Sequence, residues 1–347
     1  MVGAARQVSS PLLDNIRAQP KALRQVAEYQ LGPGRNALAR STELIRSGKR
    51  IMFSGMGASL FAAIPAACSL GAEVVDSSEL LYFPRPGLDA NTTVVLVSRS
   101  GESVEVIKLL PGLRQAGCRV IGVTNVPGSP LAAEADQAII LNSPADQLVA
   151  IQTYTATLLT LLLLADSDPG DLHVVIDAME RQIHTLIDAS KNWREFLTSE
   201  KPVYLLGRGP ALGSVLEGAL LFHETAKSPA VGMPVAQFRH GPVEVVDGAF
   251  RAIIFGTVPE TLDLDSALAK DLMRMGAKIC WIGPGSFSSA ALAFDVAPRR
   301  FARLLEIVPC QLLAYRMAEA KGFRPGDFRW ASAVTRSETG FDFADSR

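Results

Sequence analysis

The sequence predicts an α/β protein made of two tandem domains, each a parallel sheet flanked by helices. Three observations carry this. Short apolar, β-branched runs alternate with amphipathic segments, and strands that are apolar throughout belong to parallel sheets covered on both faces. Glycine pairs stand at strand ends, at Gly55-Met56-Gly57 and again at Gly207-Arg208-Gly209. The second half also repeats the order of the first. The offset is 152 residues between Gly55 and Gly207, and 157 between Ser129 and Ser286. A repeat of that length is a duplicated domain rather than a solenoid. At about 150 residues per domain, 347 residues suit two.

Each element has its own signal. Residues 50–54 (RIMFS) form a strand, followed by a helix of small residues over 59–70. Residues 73–76 are a short strand. Residues 92–97 (TTVVLV) are a strong one, since β-branched residues crowd it and turn residues bound it. A helix over 103–117, strands at 120–124 and 138–141, and a long apolar helix over 148–165 complete the first half. The charged, helical stretch 167–199 reads as a linker. The second half gives strands at 202–206, 251–255 and 278–282, with helices over 211–227, 266–276 and 307–321.

Composition excludes several classes. Hydrophobic residues are 48% and charged residues 20%, which is enough for buried cores and too apolar for a disordered chain. Lys and Arg number 34 against 35 Asp and Glu, for a net charge of -1. A nucleic-acid partner is disfavoured because a duplex-binding surface needs a basic excess. The first residues lack the apolar stretch of a signal peptide. The most apolar run, 158–165, falls short of the roughly 20 residues that span a bilayer. No membrane partner and a cytoplasmic location are therefore expected. Cys68, Cys118, Cys280 and Cys310 are far apart and have no paired spacing. Each is expected to pack as a small apolar residue. No metal site and no cofactor are predicted, because no His/Asp/Glu cluster has ligand spacing.

The sharpest local feature is Ser98-Arg99-Ser100-Gly101-Glu102-Ser103, between a buried strand and a helix. Hydroxyls, backbone N–H groups and a helix N-terminus converge there, which favours an anion. Gly101 lets the backbone approach a ligand closely. An ordinary capped turn is the competing reading. The loop lacks the Lys-Ser/Thr ending of a nucleotide-hydrolysing P-loop. Gly55-Met56-Gly57-Ala58-Ser59 is a second glycine turn, without the third glycine of a dinucleotide fingerprint.

These residues resemble the sugar-phosphate loop of SIS (sugar isomerase) domains. Tandem SIS domains form the isomerase half of glucosamine-6-phosphate synthase and related phosphosugar isomerases and deaminases. The likeness runs along nearly the whole chain. It includes Gln19-Pro20, residues 55–59, and 124–132 (TNVPGSPLA). It continues at Gly207-Arg208-Gly209, Leu216-Glu217-Gly218-Ala219-Leu220 with Glu224, and Arg239-His240-Gly241-Pro242. It ends at 311–315 (QLLAY) and Ala333-Val334-Thr335.

The resemblance implies two flavodoxin-like SIS domains, over 21–190 with an N-terminal helix and over 191–337, with a tail at 338–347. It also implies a homodimer with a shared active site and a sugar phosphate as ligand. Gly57, Ser59, Ser98, Arg99, Ser100 and Ser103 would hold the phosphate. Glu224 would be the base that moves a proton between carbons 1 and 2. His240 would open the sugar ring from the neighbouring subunit. Burial can raise a carboxyl toward neutrality, and imidazole exchanges protons near pH 7. Glu217, Leu220 and Glu224 share one helical face, which sets Glu224 beside an apolar strip.

The chain departs from the family pattern at three places. Ser332 stands where the family has a tail lysine and Leu221 where it has a lysine before the catalytic glutamate. Ala150-Ile151-Gln152 stands for its Ser-Thr-Lys. Lys227 either replaces part of the lost charge or lies at the helix end with its head in water. The reaction expected is aldose–ketose isomerisation of a sugar or aminosugar phosphate. Isomerising deamination and ligand binding without turnover are the alternatives.

Overall fold

The computed structural model describes residues 10–197, 201–285 and 287–340. The repeat point at Ser286, the end of the expected linker at Ser199, the first nine residues and the last seven of the tail lie outside the described residues.

The first half runs α1 (Pro11–Leu31), α2 (Arg35–Ser47), β1 (Arg50–Gly55), α3 (Gly57–Leu70), β2 (Glu73–Asp76), α4 (Ser77–Tyr82) and β3 (Thr92–Val97). It continues with α5 (Val104–Gln115), β4 (Arg119–Thr124), α6 (Pro130–Glu134), β5 (Gln137–Ile140) and α7 (Gln152–Ala165). Then come α8 (Leu172–Ala189) and α9 (Arg194–Leu197). The second half is β6 (Val203–Gly207), α10 (Leu212–Ala226), β7 (Ala230–Pro234), α11 (Val235–Arg239), β8 (Arg251–Phe255), α12 (Leu262–Arg274), β9 (Lys278–Gly283), β10 (Leu292–Asp295) and α13 (Arg303–Ala320).

The sheets are parallel throughout, in the orders β2-β1-β3-β4-β5 and β10-β9-β8-β6-β7. Read outward from the first strand of each half, both are the flavodoxin-like order 2-1-3-4-5. The duplication seen in the sequence is thus a duplication of topology. The central strands β3 and β8 are buried along their whole length, as the apolar runs at 94–97 and 252–255 lead one to expect.

Two strands escaped sequence reading. The sequence AVGMP of β7 contains glycine and proline, which normally mark turns, and Leu292–Asp295 spans only four residues. Both lie at a sheet edge, where one side of the strand needs no partner. The helix expected from 148 begins at Gln152. The Asp146 carboxylate explains the delay, since it accepts from the N–H groups of Ile151, Gln152 and Thr153 at 2.8–3.1 Å and caps α7.

The expected linker does more than connect. Within it α8 buries Leu172, Val175, Ile176, Met179, Ile183 and Ile187 and packs on α1 and α13. The halves also meet where α10 lies on α3. Gln19 of α1 and Gln311 of α13, both buried, exchange amide hydrogen bonds of 2.8 and 3.0 Å. Three of the cysteines are buried as expected. Cys68 is exposed near the end of α3, contrary to expectation.

Candidate active site

In an open parallel sheet, ligands bind beyond the carboxyl ends of the strands, where the strand order reverses. In the first half that point lies between β1 and β3. A cavity of about 260 Å³ opens there. The turn after β1 contributes Gly57, Ala58 and Ser59, and the loop after β3 contributes Arg99, Ser100 and Ser103. Gly57 has φ 48°, a conformation that glycine adopts without cost.

The 98–103 loop is fixed from below. The Arg99 carbonyl accepts from the Asn125 N–H at 2.9 Å and from the Thr124 hydroxyl at 3.2 Å. The planar trans peptide then turns the Ser100 N–H the opposite way. Gly101 has φ 65°, and a Cβ there would meet the Ser129 Oγ at 2.1 Å. The buried Ser98 hydroxyl lies 3.0 Å from that of Ser103 and accepts from the Gly101 N–H at 3.1 Å. Ser98 does not line the cavity. It shapes the loop whose neighbours do.

The opposite wall comes from the second half and the tail. Leu220 and Glu224 project from α10, and Phe328 and Ser332 to Thr335 from the tail. Thr153, Tyr154 and Thr157 of α7 line the cavity as well. Sequence reading missed these α7 residues, because they sit in a helix whose residues read as uniform core. Arg99 and Glu224 are the only charged side chains on the wall among the described residues.

Burial raises the Glu224 carboxyl to about 7, against the opposing pull of Arg99 and Lys227. Such a carboxyl is half ionised at neutral pH, so it can both take and return a proton. Two turns earlier on the same face, Glu217 is fully buried and its Oε2 has no partner. Burial first, then Glu224 and Asp146, push its carboxyl well above the usual range. Between them Leu221 is buried, where a lysine would have supplied a counter-charge.

Two expected residues are not brought into the cavity. Besides Ser98, His240 lies at the exposed C-terminal end of α11 and does not line the site of its own chain. Ser332 lines the cavity, and its hydroxyl donates to the Val334 carbonyl at 2.7 Å, within the tail. Lys227 keeps its ammonium out of the cavity wall and on two backbone carbonyls, of Glu224 and Asp327. The other histidines are exposed: His173 and His184 on α8, and His223, which receives the Ala230 N–H at 3.1 Å.

The matching crevice of the second half is filled by the chain itself. There the loop after β8 presents Thr257. Arg303 donates to its carbonyl and hydroxyl, both at 2.7 Å, and its hydroxyl donates to Glu306 at 2.5 Å. Ser214 donates to the other Glu306 oxygen at 2.5 Å, and Arg303 pairs with Glu306 at 2.7 Å, all in the dry interior.

Residues 44–167, which hold the 98–103 loop and the whole first sheet, match the SIS domain model. This segment is similar to SIS domains. The glutamine–fructose-6-phosphate aminotransferase (isomerizing) of Aeropyrum pernix is 28% identical over 345 residues, covering 90% of this chain and 55% of that protein. The chain thus spans about half the length of the curated relatives it matches. Among solved structures, the C-terminal domain of glucosamine-fructose-6-phosphate aminotransferase from Francisella tularensis superposes with a TM-score of 0.79 at 22% identity. The match covers 92% of this chain and 98% of that one. Tagatose-6-phosphate ketose/aldose isomerase from Escherichia coli gives 0.78 at 22% identity, over 94% and 98%. These structures share the fold of two SIS-type sheets, including the second half that lies beyond residues 44–167.

Proposed function

We propose that this protein is a phosphosugar isomerase, which moves a proton between carbons 1 and 2 of an open-chain sugar phosphate. One observation carries the reading. Glu224, with its carboxyl raised to about 7, lines the same cavity as Ser59, Ser100, Ser103 and Arg99. In this mechanism the serine hydroxyls, the Ser100 N–H and the N-terminus of α5 hold the phosphate. Glu224 takes the proton from one carbon, leaving an enediol, and returns it to the other. A cavity of about 260 Å³ is smaller than the roughly 300–1,000 Å³ of drug-sized sites and suits a monosaccharide phosphate.

His240 would open the sugar ring from a second copy of the chain, so the working unit is a homodimer. Its exposed place outside the cavity of its own chain supports this. With Ser332 in the tail and Leu221 on α10, no lysine reaches the cavity among the described residues. A hydroxyl cannot form the Schiff base that an amine can. Synthesis of glucosamine 6-phosphate from fructose 6-phosphate and ammonia is therefore not expected.

The test is ligand-induced stabilisation. Hexose 6-phosphates should raise the melting temperature and their neutral parents should not. At a hundredfold excess over Kd, binding adds about 2.7 kcal/mol. Ser100→Ala should blunt the effect. Equal stabilisation by glucose and glucose 6-phosphate would refute the anion loop.

A further inference from the structure

The tail that forms one cavity wall has neither helix nor strand over residues 321–340. Such a segment keeps its place only through side-chain packing and the groups that hold its backbone. Phe323 and Phe328 pack against the main core. Beyond them, Arg99 donates to the Ala333 carbonyl at 2.7 Å. The Val104 N–H, an orphan donor of the first turn of α5, donates to the Thr335 carbonyl at 3.1 Å. Arg336 pairs with Glu102 at 2.9 Å. All three tie the tail to the anion loop or the helix it opens.

One tie goes instead to the helix that carries the base. Lys227 caps α10 with φ 48° and ψ 41°, a left-handed conformation in which helices usually place glycine. A lysine there brings a donor that glycine lacks. Its Nζ donates to the Glu224 carbonyl at 2.5 Å and also to the Asp327 carbonyl, a hundred residues on. Its head is thus committed to backbone on both sides of the seam, one residue before Phe328 of the cavity wall.

We propose that Lys227 is a positioning residue that clamps the 327–335 tail to the end of α10, fixing the tail wall of the cavity relative to Glu224. The clamp accounts for a lysine at a position whose backbone favours glycine. Only its effect on turnover rests on the proposed isomerase function.

Hydrogen exchange of the full chain without ligand tests the clamp. In Lys227→Met, the amides of residues 328–335 and of Val104 should exchange at least tenfold faster than in the parent. Val94, Ile121 and Ile253, in the central strands, should stay within twofold. Lys227→Arg, which keeps a charged donor, should hold the tail within threefold of the parent. Lys227→Gly suits the positive φ and removes the donor, so it should loosen the tail as Met does. It also carries the comparison if the Met protein does not fold. Parent-like exchange at Val104 in the Gly or Met protein, or equal loosening by Arg and Met, would overturn the proposal. With a hexose 6-phosphate that the parent converts, Lys227→Met should raise KM at least fivefold and leave kcat within threefold. A fall in kcat with KM unchanged would contradict positioning of the wall. If the parent converts no sugar phosphate, the functional reading fails, and the exchange experiment still decides the clamp.

Discussion

At the scale of single residues, the site turns on one carboxyl held away from water. The ordinary value near 4.5 rises to about 7 for Glu224 in the folded chain. The folded state therefore binds this proton more tightly than the unfolded state. Below pH 4.5 both states are protonated and the group is neutral in its effect. As pH climbs from 4.5 to 7, only the unfolded chain ionises, so stability falls, and above 7 the loss is complete. The full loss is on the order of 3 kcal/mol for that shift. Glu224→Gln removes the ionisation, so the gain in melting temperature over the parent should be larger at pH 8 than at pH 4. Equal gains at the two values would mean that Glu224 titrates normally. The proposed catalysis imposes the opposite demand, because a general base must be ionised to act. The site accepts a cost in stability for a proton acceptor poised near neutrality.

At the scale of elements, the proposed anion loop at 98–103 depends on one backbone conformation. Gly101 holds φ 65° with Ser129 packed where a side chain would begin. Gly101→Ala should abolish stabilisation by sugar phosphates while the sheet, buried beneath, stays folded. Melting in the absence of ligand, alongside the ligand-induced shift, separates the two effects. Unchanged phosphate binding in this variant would show that the loop geometry is not what holds the anion. This loop, the central strands and the Glu224 face of α10 were legible in the sequence, because each writes a local pattern. Apolar runs at 94–97 and 252–255 mark β3 and β8, serine and glycine between strand and helix mark the loop, and helical spacing aligns Glu217, Leu220 and Glu224. The edge strands β7 and β10 were not legible, since half-buried pairing leaves little composition bias. Thr153, Tyr154 and Thr157 were hidden inside a helix that reads as core throughout. The carbonyl ties of Lys227 and Arg99 to the tail could not be read either, since they join residues 100 and 234 positions apart and leave no local mark.

At the scale of the whole molecule, a duplicated topology carries a cavity at the switch point of its first sheet. The first crevice is open, and the second holds Arg303, Glu306, Thr257 and Ser214 in a closed polar network. Removing one partner of a buried pair costs roughly 3–5 kcal/mol, because the other charge is left unpaired. Arg303→Met should therefore lower the denaturation midpoint sharply, while Arg24→Met, at an exposed pair with Asp177, should barely move it. Similar midpoints for the two variants would remove the network from the account of why the second crevice is closed. In the proposed reaction the first crevice does the chemistry, with Glu224 delivered by a helix from the other half. The most direct measurement of that chemistry is proton exchange at the substrate's carbons. Hexose 6-phosphates incubated with the protein in deuterium oxide, and followed by NMR, should gain deuterium at carbon 1 or carbon 2 of the sugar that is turned over. Glu224→Gln should slow that exchange by roughly 10²–10⁴-fold and still bind the sugar phosphate. A sugar phosphate converted by Glu224→Gln at the parent rate, or converted by the parent with no deuterium entering either carbon, would contradict the account.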